Sequence, residues 1–73
     1  MAVSANIRKY RLQRNLTQAE LAARVGKRRV TITRYELGSV DIPLSVLGAI
    51  AKALNIPVRK LLEPNSKSDA AQP

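Results

Sequence analysis

Apolar positions in this chain recur at three- and four-residue intervals, and no stretch shows the strict alternation of a half-buried strand. Five helices are expected. The first spans roughly 5–14, with Ser4 as its cap, Ile7, Tyr10 and Arg11 on one face, and Asn15 closing it in the left-handed conformation. The second, about 18–25, carries Thr17 and Glu20 in capping-box spacing, a Leu16–Leu21 staple and an apolar stripe of Leu21, Ala22 and Val25. Gly26 follows, free to take a positive φ. The third, about 29–37, turns Ile32, Tyr35 and Leu37 inward and stops at Gly38. After a loop from Ser39 to Pro43, the fourth covers about 44–54, with Leu44, Leu47, Ile50, Ala51 and Leu54 at helical spacing and Asn55 at its end. Pro57 opens a short fifth helix that faces Val58, Leu61 and Leu62 to the core and ends at Pro64.

The connections between these elements are short, so the expected architecture is one all-α domain over residues 4–63. Residues 64–73 are polar and lack periodicity, and a disordered tail is expected there. A chain of 73 residues has room for one domain, and its core is small. With no cysteine and no histidine, neither a disulfide nor a metal site of the usual kinds is available to reinforce it, and no cofactor is expected. Stability must then come from close helix packing, with self-association as a possible supplement.

Charge adds a direction to this picture. The net charge is +8, from 13 Lys and Arg against 5 Asp and Glu, which favours a polyanionic partner. Nine of those cations lie between Arg8 and Arg34 with Glu20 as the single acid, whereas the chain from Tyr35 onward balances four cations against four acids. The polyanion surface is therefore expected on the N-terminal half. No run approaches the ~18 apolar residues of a membrane span. The opening MAVSAN has no cation ahead of an apolar run, so no signal peptide and a cytoplasmic location are expected.

Thr17 to Gly38 thus reads as two short helices meeting at a tight turn, with Ala22 small enough for the crossing and Gly26 supplying the left-handed residue. Leu21, Val25, Ile32 and Tyr35 would share a core, leaving Arg28, Arg29, Val30, Thr33 and Arg34 outward near the start of the second of the pair.

From Ile7 to Glu63 the sequence resembles the Cro/C1-type (XRE) helix-turn-helix family, the five-helix DNA-binding domain of lambdoid phage repressors. The resemblance is carried by Leu16-Thr17-Gln18, Glu20-Leu21-Ala22, Val25-Gly26, Ile32, Arg34, Glu36 and Gly38, then by Ile50-Ala51-Lys52-Ala53-Leu54 and Leu61-Leu62. It implies a lambda-repressor-like fold with the second and third helices forming the helix-turn-helix, and a third helix that enters the DNA major groove. On that footing Arg29 and Arg34 are expected to contact bases, since a guanidinium bridges guanine O6 and N7 with ~1–3 kcal/mol of discrimination. Val30 would touch a thymine methyl and Thr33 a base or phosphate. Gln18 matches the family's phosphate-binding glutamine, and Lys27, Arg28 and Ser39 would hold the backbone. The resemblance also implies a partly buried ion pair between Arg11 and Glu36.

One departure stands out. Family members often cap the third helix with Ser or Thr, whereas Lys27-Arg28-Arg29 occupies that place here. Cations at a helix N-terminus oppose the macrodipole by ~0.3–1 kcal/mol each. Relief of that opposition by DNA phosphate is the expected compensation.

Catalytic constellations are missing: His and Cys are absent, the acids are scattered and there is no Gly-rich phosphate loop, so an enzyme is not expected. The sequence points to a small sequence-specific regulator of transcription, most simply a repressor, acting as a homodimer on palindromic double-stranded DNA. Val40, Val46, Pro57 and Val58 are the apolar candidates for its dimer surface. Two rivals carry different signatures. An antitoxin of the same fold would co-purify with a partner toxin, and a non-specific polyanion binder would show no sequence preference.

Overall fold

The structure is a computed structural model that describes residues 2–64; the expected tail at 64–73 lies, apart from Pro64, outside the described residues. Five helices follow one another: α1 (Ala2–Gln13), α2 (Gln18–Val25), α3 (Arg29–Leu37), α4 (Leu44–Leu54) and α5 (Val58–Leu62). Among the described residues there is no strand.

The helix ends follow local backbone chemistry. Asn15 and Asn55 have φ of 57° and 60°, and Gly26 and Gly38 have 71° and 74°, so a left-handed residue closes each of the first four helices. Asparagine and glycine tolerate that conformation where other L residues pay a steric penalty. At the start of α2 both halves of the capping box are made: Glu20 N–H donates to Thr17 Oγ1 at 3.0 Å, and Thr17 N–H to Glu20 Oε1 at 2.8 Å.

The core gathers Ile7 from α1, Leu21 and Ala22 from α2, Ile32 and Tyr35 from α3, Val46, Leu47, Ile50, Ala51 and Leu54 from α4, and Leu61 from α5. Helix α2 packs against α3 and α4, while α1 packs against α5 and α3. Two polar side chains, one buried and one exposed, tie off helix ends in this arrangement. Asn6 Nδ2 donates to the carbonyls of Leu61 and Glu63 at 3.0 and 2.6 Å, closing α5. Arg14 Nε donates to the Leu54 carbonyl at 2.8 Å, closing α4. Orphan carbonyls at a helix C-terminus need such partners when water is excluded.

Several expectations are corrected. Ser4 is not a cap: α1 begins at Ala2, and Ser4 is buried within it. The packing of Val3 against the core extends the helix beyond the hydroxyl that looked like its start. Leu37, Leu44 and Leu62 are exposed at 74%, 76% and 52%, and Val58 is also exposed. Leu37 and Leu44 lie at the ends of their helices, off the faces that pack. The five-residue α5 turns little more than once, so it has a single fully inward position, Leu61. Val46, assigned from the sequence to a dimer surface, is instead part of the core, because the buried face of α4 is wider than the stripe its strongest residues outline.

Candidate nucleic-acid interface

The positions of the candidate residues follow from how α2 sets α3. The Gly26 turn is closed by a hydrogen bond from Lys27 N–H to the Ala22 carbonyl at 2.9 Å. Ala22, 2% exposed, lets the two helices approach closely. Ile32 and Tyr35 are buried against that scaffold, so the opposite face of α3 is fixed outward. It presents Arg29, Val30 and Arg34, all exposed, with Thr33 half-buried at its edge. Lys27 and Arg28 are exposed just ahead of it, and Ser39 just beyond.

The N-terminus of α3 is electrostatically unusual. Arg28 occupies the N-cap position and makes no side-chain capping bond, and the first turn contains no acid. The leading N–H groups of a helix lack intrahelical acceptors and carry its positive partial charge. Three consecutive cations, Lys27, Arg28 and Arg29, therefore adjoin an uncapped positive helix end. An anion is the chemical complement of such a place.

Ser39 donates from Oγ to the Arg34 carbonyl at 3.3 Å, and from its N–H to the same carbonyl at 3.1 Å, so it closes α3 while remaining exposed.

Behind the outward face lies a polar network that joins three helices. Arg11 is 7% exposed, and its Nε and Nη2 donate to Glu36 Oε2 and Oε1 at 2.6 and 3.0 Å in a bidentate pair; its Nη1 donates to the Leu16 carbonyl at 2.8 Å. The hydrogen bond from Arg11 to Glu36, with their coulombic attraction, outweighs burial and raises the arginine pKa above its usual value. Gln18 Nε2 donates to Glu36 Oε1 at 3.1 Å, and Thr33 Oγ1 donates to Gln18 Oε1 at 2.7 Å. Thr33 Oγ1 also lies 3.1 Å from the Arg29 carbonyl. Gln18 and Thr33, expected to touch DNA separately, are thus bonded to each other, and no spacing rule between positions 18 and 33 announces it.

Other cations named in the charge argument have duties elsewhere. Arg11 is buried in the ion pair, and Arg14 is spent on the end of α4. Leu37, exposed at the far end of α3, was missed as a surface residue; its spacing of four from Thr33 was the available signal. Among the described residues no group of three His, Cys, Asp or Glu is placed to hold a metal, and no helix is long and apolar enough to cross a membrane.

The chain and its fold are similar to known proteins. The sequence model of the helix-turn-helix family matches residues 7–61. The control protein C.SmaI of Serratia marcescens is 42% identical over 60 residues, covering 82% of this chain and 71% of its own. The crystal structure of the restriction-modification controller protein C.AhdI from Aeromonas hydrophila superposes with a TM-score of 0.79 at 29% identity, covering 81% of this chain and 86% of that one. The P22 c2 repressor, solved in complex with a synthetic operator, superposes with a TM-score of 0.80 at 28% identity, covering 89% of this chain and 98% of that one.

Proposed function

This chain belongs to the Cro/C1-type helix-turn-helix family of sequence-specific DNA-binding regulators, and we propose that it is a repressor acting as a homodimer on a palindromic operator. The observation that carries the reading is the outward face of α3: Arg29, Val30 and Arg34 stand exposed on a helix whose other face is fixed by Ile32 and Tyr35. Its role is occupancy of DNA rather than catalysis, in the cytoplasm where that DNA is found.

Arg29 and Arg34 read guanine edges, and Val30, 45% exposed, meets a thymine methyl. Lys27, Arg28 and Ser39 contact phosphates on either side of the groove, and Gln18 contacts one from the start of α2. Placing phosphate against the uncapped end of α3 relieves the opposition between its cations and its dipole.

A dimer suits both the size and the surface. One recognition helix spans only a few base pairs, so two half-sites about one helical turn apart supply the discrimination. Val40 and Leu62, exposed at 44% and 52%, line an open groove of about 340 Å³ together with Val3, Ile42 and Leu47. This groove and the exposed Pro57 and Val58 are the apolar surface offered for self-association.

Selection of bound sites from random duplex DNA tests the reading. A palindromic consensus that outcompetes random DNA at ~150 mM salt is expected, because non-specific phosphate binding weakens steeply with salt whereas base contacts do not. Recovery of a pool with no consensus refutes it.

A further inference from the structure

We propose that Thr33 does not read a base: its hydroxyl positions the Gln18 carboxamide so that one amide N–H is held ready for a DNA phosphate. The inference rests on Gln18 being a phosphate contact, as proposed above. It turns on proton counting along the network. Arg11, whose guanidinium can only donate, bonds both oxygens of Glu36, so Glu36 is the acceptor in this network. The group that Gln18 turns toward Glu36 Oε1 at 3.1 Å must therefore be its NH2. That orientation leaves Gln18 Oε1 facing Thr33 Oγ1 at 2.7 Å, where only the hydroxyl can supply the proton.

A threonine hydroxyl within a helix ordinarily donates to the carbonyl four residues back. Here that acceptor, the Arg29 carbonyl, is the longer contact at 3.1 Å. The single hydroxyl proton goes to Gln18. Of the two amide hydrogens on Gln18, one is used on Glu36 and one remains. Both ends of the carboxamide are pinned, so the free N–H has a fixed direction before any DNA arrives. Fixing a donor beforehand removes an ordering cost from binding.

The consequence is a division of labour on α3. Arg29, Val30 and Arg34 distinguish sequences. Thr33, half-buried at the edge of the same face, affects every sequence equally because it acts through a phosphate contact.

The test uses Thr33→Val, which keeps the shape and removes the hydroxyl, with Thr33→Ser as the conservative rescue and Gln18→Ala as the partner change. On selected and random duplexes alike, Thr33→Val should weaken binding by about three- to tenfold, the range set by losing one hydrogen bond. Thr33→Ser should restore it. In the Gln18→Ala background Thr33→Val should have no further effect, since the group it orients is gone. A changed base preference in Thr33→Val, an additive loss in the double variant, or unchanged binding each overturns the proposal.

A readout without DNA separates this from the functional reading. In NMR spectra of the free protein the Gln18 carboxamide nitrogen should have the order parameter of a rigid group, with its Glu36-bonded hydrogen exchanging slowly with solvent, and Thr33→Val should lower both the order and the protection. If the free wild-type carboxamide is as mobile as that of an exposed glutamine, the pinning is refuted whatever the DNA data show. If it is rigid but no DNA sequence is preferred, it is the regulator reading that fails.

Discussion

Glu36→Gln removes one charge from the polar network and almost nothing else, which makes it the cleanest probe of the Arg11–Glu36 pair. The side chains of Arg11 and Glu36 are 8% and 3% exposed, so water cannot replace what is lost. A glutamine carboxamide can still accept one hydrogen bond from Arg11, but it cannot neutralise the guanidinium, which stays charged at any pH the fold survives. Breaking a buried pair from one side costs about 3–5 kcal/mol, because an uncompensated charge remains inside. A domain of 73 residues holds roughly 4–10 kcal/mol in total, so the loss is a large fraction of its stability. At about 4–8 °C per kcal/mol for a domain of this size, the melting temperature should fall by at least about 12 °C. Thermal and urea unfolding followed by circular dichroism would measure it. The double change Arg11→Met with Glu36→Leu should be more stable than Glu36→Gln, since it removes the charge together with its counterion. A Glu36→Gln protein melting within about 4 °C of the wild type would refute the reasoning.

Three further outcomes are expected. Replacing Arg28 with Ser and Arg29 with Gln should raise the melting temperature of the free protein while weakening DNA binding. A serine cap contributes ~1 kcal/mol, and each cation removed relieves ~0.3–1 kcal/mol of opposition to the dipole; a melting temperature that does not rise refutes the strain argument. Thr17→Ala should cost ~1 kcal/mol by urea titration at neutral pH. The backbone and hydroxyl of Thr17, with a smaller contribution from Arg24, hold the Glu20 carboxyl below its usual pKa. Its contribution is therefore present above the ordinary carboxylate pKa and is lost as pH falls through the depressed one, so Glu20→Gln should flatten the acid limb of the stability curve. Finally, Gly38→Ala should be more destabilising than Gly26→Ala. Both positions are left-handed, but a Cβ at Gly26 meets nothing within 4 Å, whereas one at Gly38 lies 3.2 Å from Ser4 Oγ. Adding Ser4→Ala should recover part of the difference, and equal melting temperatures for the two alanine variants would contradict it.

Much of the architecture was legible because its signals are local. A helix ends where the chain can turn left-handed, and Asn15, Gly26, Gly38 and Asn55 each advertise that within one residue. The capping box at Thr17 and Glu20 closes over three positions, and the stripe of Leu21 and Ala22 follows from helical periodicity alone. These features depend on backbone sterics and short-range hydrogen bonding, which the linear order already contains. The outward face of α3 was legible for the same reason: once Ile32 and Tyr35 are inward, Arg29, Val30 and Arg34 must face away.

Only the tertiary structure decided the rest. Periodicity points a helix face inward but does not say how wide the buried face is or where along the helix the packing stops. Leu37 and Leu44 are therefore exposed and Val46 is buried, against the sequence reading. Ser4 carries the chemistry of a cap and is buried against the Gly38 turn because α1 continues past it to pack Val3. The central turn and its helices could be read from the sequence; the partners of Gln18 could not. Its carboxamide meets Thr33 and Glu36 only because α2 and α3 cross where Ala22 allows, and contacts set by a crossing angle leave no local mark on the chain.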